Sequence, residues 1–227
     1  MVKDKIITQL EKEYINNIDF IYIYNHGGEV INFNEDLIVF RYHETYFIKG
    51  TDRAIFDFLK NKKSIKMLAI HNSNLNDYIL ERFKLKNVIV AYNYCYLKEQ
   101  IDVIDDIMIK PIGMEYYDII KDNYSSLTDL DYLMARIKSN TFIGAFVDNK
   151  IAGFAGIHDE GSIGFVEVLK EYRRKKIGTA LESYLINQLL EKNEVVYLQV
   201  EINNAGSIKF HEKLGFKRSN DKVFWYM

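Results

Sequence analysis

One stretch constrains this chain more than any other: Val166 to Ala180, VEVLKEYRRKKIGTA. A strand-like run at 162–169 passes through four consecutive basic residues into a helical pattern at 177–191. Ile177, Leu181, Tyr184, Leu185 and Leu189 recur at helical spacing there and face inward. A helix N-terminus presents unpaired N–H groups and the positive end of the helix dipole. Gly178 lets a ligand approach the backbone. Arg173, Arg174, Lys175 and Lys176 add four positive charges at the same point. Together these features suit a pyrophosphate; the plainer alternative is a solvated basic turn.

Composition narrows the classes that remain. The 227 residues are 48% hydrophobic, enough for a buried core in one large domain or two small ones. Thirty basic residues face 32 acidic ones, so the chain is no bulk polyanion binder. A nucleic-acid role would rest on Arg173 to Lys176 alone, and a pyrophosphate explains those charges better, so no nucleic-acid partner is expected. The lone Cys95 excludes an intrachain disulfide framework and a multi-Cys zinc site. No H-E-x-x-H or similar spacing occurs, and no metal is expected. His26, His43, His71 and His158 are scattered and read as non-catalytic. The N-terminal MVKDKIITQLEKEY has no apolar signal core, and no run approaches about 18 apolar residues. No membrane association is expected, and the reading is a reducing cytoplasm.

Glycine separates the two ends of the chain, with three before residue 104 and nine after it. A boundary is placed there, giving an accessory α/β domain at 1–104 and a second domain at 105–227. In the first, helices are expected at 3–15, 52–61 and 74–84. Strands are expected at 19–24, 37–42, 45–49, 66–70 and 87–95. In the second, a strand at 107–111 precedes helices at 114–123 and 128–138. A hairpin follows at 141–147 and 150–157, closed by Asp148-Asn149-Lys150. After the strand at 162–169 and the helix at 177–191 come a strand at 195–201, a helix at 204–214 and a strand at 222–226. Gly215 is expected to end the last helix in a left-handed cap. The last six elements repeat the order seen from about residue 37. Internal duplication and the ordinary alternation of α/β layers both produce such an order.

The second informative stretch is Asn203 to Phe216, NNAGSIKFHEKLGF. Asn204 is a natural helix cap, with Ser207 three residues later. Taken with Val166–Ala180, it resembles the GNAT superfamily of N-acetyltransferases. That family reads V-x-P-x-x-[RQ]-x-x-G-x-[GA] from a strand into a helix, and Val168, Lys170, Arg173, Lys176 and Gly178 occupy those places. It also reads N-x-x-A-x-x-[LF]-Y-x-x-x-G-F, matched or replaced here by Asn204, Ser207, Phe210, His211, Gly215 and Phe216. The resemblance covers about residues 107–227 and implies a mixed α/β sheet of the acyl-CoA N-acyltransferase fold.

The resemblance also implies acetyl-CoA as cosubstrate and a small primary amine as acceptor. Val166 and Val168 would pair with the pantetheine arm like an added strand. The amides of Arg174, Lys175, Lys176, Ile177, Gly178 and Thr179 would hold the pyrophosphate, with Arg173 adding charge. Asn204 and Ser207 would lie beside the arm near the thiol. The Val166 N–H would stabilise the oxyanion formed when the amine attacks the thioester. His211 stands where the family has a Tyr that protonates the leaving thiolate. Ser162 stands where many relatives have a Glu, which leaves Glu160 and Glu167 as the two candidates for the base.

Two other readings stay open: an N-acyltransferase of amino acids such as glycine, and a non-catalytic CoA-binding protein. Residues 1–104 are expected to be a degenerate copy of the same fold, as in glycine N-acyltransferase-like proteins. The equivalent turn, Lys49-Gly50-Thr51-Asp52-Arg53, puts the Asp52 carboxylate at a helix start, where it would cap the helix and repel a pyrophosphate. This part would bind no CoA and would cover the acceptor cleft. A second copy of the chain is a partner the sequence neither requires nor excludes.

Overall fold

The computed structural model describes residues 2–104, 106–124 and 129–227. In chain order these form α1 (Val2–Glu11), α2 (Ile18–Asn25), β1 (Glu29–Phe33), β2 (Leu37–Tyr42), β3 (Thr45–Gly50), α3 (Asp52–Leu59), β4 (Met67–His71), α4 (Asn76–Phe83) and β5 (Val88–Cys95). There follow β6 (Met108–Pro111), α5 (Tyr117–Asn123), α6 (Leu130–Lys138), β7 (Phe142–Val147), β8 (Lys150–Ile157) and β9 (Ile163–Val168). The chain ends with α7 (Ile177–Glu191), β10 (Tyr197–Glu201), α8 (Ala205–Leu214) and β11 (Lys217–Tyr226). The expected start of α6 at residue 128 falls outside the described residues.

Contacts group the chain into two compact units, Met1–Cys95 with Gln199–Met227, and Tyr96–Leu198. The division read from sequence, near residue 104, follows glycine content along the chain and takes no account of a C-terminal segment joining the first unit.

In the first unit the strands run in the order β1-β2-β3-β4-β11-β5. β3 and β4 are parallel, and β11 lies antiparallel between β4 and β5. Val39, Ile48, Leu68, Ile70 and Tyr226 from the sheet pack with Ile55 and Leu59 of α3 and Ile79 of α4. Burying such side chains is the main force holding the layers together, at about 1.5–3 kcal/mol each.

Two sequence expectations fail in this unit. Residues 19–24 form part of helix α2, not a strand. Ile18, Asp19, Phe20, Ile21 and Ile23 are all buried, so the segment has no polar face to set a period. Its aromatic and β-branched residues favour a strand locally, and tertiary burial overrides that preference. The buried Asp19 accepts from its neighbour's N–H at 3.0 Å and meets His71 Nε2 at 2.8 Å. At α3 the cap is Thr51, whose Oγ1 accepts from the Ala54 N–H. Asp52 instead accepts from Ser73 Oγ and the Asn74 N–H, both at 3.3 Å. Strand β1 has no counterpart among the expected elements, and β11 begins five residues earlier than expected, continuing through a register shift between Arg218 and Lys222.

The second unit holds β6, β7, β8 and β9 as an antiparallel run, with β10 joining β9 in parallel. On one face Ile120, Leu133, Ile137, Phe142, Phe154 and Phe165 form the core. On the other, α7 lies so close to β8 that a Cβ at Gly153 would stand 3.1 Å from Ile177 and 3.3 Å from Leu181. The hairpin and the helix at 177–191 agree with the sequence.

Candidate active site

The geometry begins with an irregular strand. Along the β8–β9 register Phe154 faces Glu167 and Gly156 faces Gly164. Phe165 and Val166 together therefore oppose Ala155, which is a β-bulge. Phe165 sits at φ 53°, a left-handed conformation that costs a side-chain-bearing residue about 1–2 kcal/mol. Rings hold it there: Phe142 at 4.8 Å, Tyr124 at 5.3 Å and His158 at 4.1 Å between centroids.

Beyond the bulge the backbone alternates. The Leu169 N–H donates to Ala152 of β8, so the amide and carbonyl of Val168 face the other edge. Among the described residues, the register of β9 with β10 is confined to Leu198 beside Ile163. The Val168 N–H donates to Glu167 Oε1 at 3.2 Å, and its carbonyl accepts from Arg173 Nε at 3.1 Å.

From that edge the chain runs through a 3-10 turn, Lys170–Tyr172, into the basic loop. Arg174 and Lys176 have φ of 63° and 62°. Left-handed residues are one component of the backbone turns that bind anions. Lys176 is the N-cap of α7, makes no side-chain cap, and no acidic residue occupies the first turn. Arg173, Arg174, Lys175 and Lys176 are exposed, and Ile177 is buried beneath them as the anchor of the helix. Gly178 and Thr179 follow in the first turn. A helix N-terminus and positive charge, with no carboxylate in the helix's first turn, suit an anion such as a pyrophosphate.

Glu160 lies in the β8–β9 turn. Its Oε1 accepts from Ser162 Oγ at 2.5 Å, and its carbonyl accepts from the Tyr197 hydroxyl at 2.5 Å. Beside it runs a polar chain that sequence reasoning missed. The Asp159 N–H donates to the Tyr132 hydroxyl at 3.2 Å, which is itself hydrogen-bonded to His158 Nδ1 at 3.0 Å. Arg136 fixes the turn through Asp159 Oδ1 at 2.8 Å and the Ile157 carbonyl. Burial, and then the Glu160 charge, raise Tyr132 far above the usual phenol range. Burial is also the largest cause holding His158 below its ordinary value; Glu160 and Asp159 oppose it and Arg136 reinforces it. No motif marks these residues, and only the folded turn brings them together. Glu167 is separate from them, paired with Arg173 Nη2 at 3.2 Å.

The remaining candidates lie on α8, in the first unit. Asn204 caps the helix, its Oδ1 accepting the Ser207 N–H at 3.0 Å. Gly215 closes it at φ 104°. His211 is buried among Phe210, Phe216 and Tyr94. Its Nδ1 lies 2.8 Å from the Ser207 carbonyl and 3.1 Å from Ser207 Oγ. The carbonyl can only accept, so Nδ1 carries a proton, and a proton given from Nε2 would have to come from the doubly protonated ring. Gln199 accepts from Trp225 Nε1 at 2.6 Å and donates to Asn93 at 2.8 Å, a part-buried polar link also unmarked in the sequence. Among the described residues no group of three His, Cys, Asp or Glu is arranged to hold a metal. Nor does any helix there have the length and apolarity to cross a membrane.

A bulged strand, a basic turn and the helix behind it follow one another without a break in the chain. Residues 84–216 match the acetyltransferase (GNAT) family, and the chain belongs to it as an N-acetyltransferase. Acetyltransferases of this family use acetyl-CoA. An N-alpha-acetyltransferase of Saccharolobus solfataricus is 27% identical over 70% of this chain and 86% of its own length. The [ribosomal protein bS18]-alanine N-acetyltransferase of Escherichia coli is 30% identical over 42% of this chain and 62% of its own. A GNAT-family acetyltransferase structure from Colwellia psychrerythraea shares the fold at a TM-score of 0.54, with 15% identity, over 97% of this chain and 95% of that one.

Proposed function

We propose that the protein transfers the acetyl group of acetyl-CoA to a free α-amino group at the end of a peptide chain. The observation that carries the donor half is the continuity of the Val168 edge with the loop at Arg174–Lys176 and the start of α7. Val168, and Val166 two residues earlier, offer backbone groups to the amides of the pantetheine arm. The amides from Arg174 to Thr179 take the pyrophosphate, and Arg173 through Lys176 balance its charge. Asn204 and Ser207 are assigned to the thiol end on the family resemblance.

In the reaction the amine nitrogen forms a bond to the thioester carbon and the carbon–sulfur bond breaks. The Val166 N–H holds the carbonyl oxygen as negative charge grows on it. Glu160 or Glu167 takes the amine proton, and the thiolate is protonated as it leaves, a role that the family resemblance alone assigns to His211. Residues 1–104 bind no donor in this reading: at their equivalent turn Asp52 already takes the Ser73 and Asn74 donors.

The acceptor class rests on the relatives, one named an N-alpha-acetyltransferase and another an alanine N-acetyltransferase of a ribosomal protein. Small amines, which the sequence reading favoured, are the second class. The test is thiol release from acetyl-CoA with three acceptors: a peptide with a free N-terminus, the same peptide blocked there but carrying a lysine, and a panel of small amines. Release with the first alone is expected, with a mass gain of one acetyl group at the α-nitrogen. Release with small amines alone overturns the peptide assignment. CoA binding without release for any acceptor would reduce the protein to a donor-binding one.

A further inference from the structure

Val168 is capped twice by side chains from its own neighbourhood. Glu167 Oε1 accepts its N–H at 3.2 Å, and Arg173 Nε donates to its carbonyl at 3.1 Å. Arg173 Nη2 closes the triangle onto the same Glu167 oxygen at 3.2 Å. An acceptor and a donor set against the outward groups of one strand residue reproduce what an adjoining strand would offer. They occupy the place where the donor's arm is proposed to pair. Arg173 is 60% exposed and Glu167 27%, so the ion pair itself holds the clasp only weakly.

We propose that Glu167 and Arg173 hold the Val168 edge closed, so that a donor's pantetheine arm must displace them before it can pair there. The inference rests on the reading above that the arm pairs with Val168. A bare arm must displace two hydrogen bonds and leave a carboxylate and a guanidinium to find water. A donor that also carries a pyrophosphate brings two negative charges to the loop that begins one residue after Arg173. The guanidinium then exchanges one anion for a stronger, multiply charged one. Without it Glu167 loses its partner, and the Val168 edge opens. The pyrophosphate's own affinity for Arg173 thus offsets part of the cost of opening the strand edge on which the rest of the donor lies.

Binding, not turnover, is the readout, because Glu167 is also a candidate base. Calorimetry compares coenzyme A with free pantetheine on wild type, Glu167→Ala and Arg173→Ala, each checked for an unchanged melting temperature. Glu167→Ala is expected to tighten pantetheine and coenzyme A alike, each about fivefold, because both arms are spared the same displacement. Arg173→Ala is expected to tighten pantetheine similarly but to bring coenzyme A no such gain, since loss of a pyrophosphate contact opposes the loss of the clasp. Unchanged binding of both ligands in Glu167→Ala overturns the clasp alone. A wild-type chain that binds neither ligand overturns the donor reading and the clasp with it.

Discussion

His158 and Phe165 stack with centroids 4.1 Å apart and planes 29° apart, and the imidazole fills the space a side chain at Gly164 would need. A Cβ there would lie 2.3 Å from His158 Cδ2 and Nε2. The ring therefore locks the bulge from two sides, resting on Phe165 and lying across Gly164. Gly164→Ala is expected to cost about 1–3 kcal/mol by overpacking. His158→Ala opens that space, so the double variant should be clearly more stable than the two single losses added together. Chemical denaturation of the four proteins gives the coupling. Strict additivity would show that the ring and Gly164 do not share this contact.

The same ring makes stability depend on pH. Burial holds His158 below its ordinary value of 6.5 in the fold. The unfolded chain then takes up its proton first as pH falls, so the stability present above 6.5 declines below it until the folded ring also protonates. Glu160 and Asp159 limit the effect and Arg136 adds to it. Melting temperatures measured between about pH 8 and pH 5 should fall more steeply for wild type than for His158→Phe, which keeps a ring and loses the titration. Parallel slopes would mean that His158 is not the group responsible.

The elements of the candidate donor site were legible because their signals are local. A strand, a basic turn and a helix that follow one another in sequence must follow one another in space, and the cap at Asn204 spans four residues. Polar links between residues distant in sequence were not legible. Tyr132 and His158 are 26 residues apart, and Gln199 and Trp225 are also 26 apart. Neither pair has a spacing that a helix or strand period would reveal. Helix α2 was misread for a different reason: with Ile18, Asp19, Phe20 and Ile21 all buried, period carries no information and local propensity misleads. The clasp lay in plain sequence as Glu167 and Arg173, but its meaning depends on which edge the Val168 amide faces, and the bulge decides that.

Cys95 ends β5 as a buried thiol, 1% exposed, and burial pushes it up to about 12. The reactive thiolate is then scarce near neutral pH, and access is blocked as well. Iodoacetamide at about pH 8 should leave the native protein unlabelled and modify one site once the chain is unfolded in denaturant. The CoA thiol-release assay can therefore be run without a background signal from the protein. Rapid labelling of the folded chain would show that β5 opens locally.

Lys176 takes the loop place where the family pattern has glycine, and its φ of 62° shows the cost of that replacement. A left-handed conformation burdens a lysine by about 1–2 kcal/mol relative to glycine. Lys176→Gly removes that strain but gives back about 0.5–1 kcal/mol through the greater freedom of the unfolded chain. The net change is expected to raise the melting temperature by about 1–3 °C in a chain of this size. The amide at position 176 stays, and only one of four charges is lost, so coenzyme A affinity should fall no more than about threefold. Lys176→Val supplies the contrast, because a β-branched residue tolerates this backbone worse than lysine and should melt lower than wild type. A lower melting temperature for the glycine variant would mean that the Lys176 side chain, and not the backbone around it, holds the loop in shape.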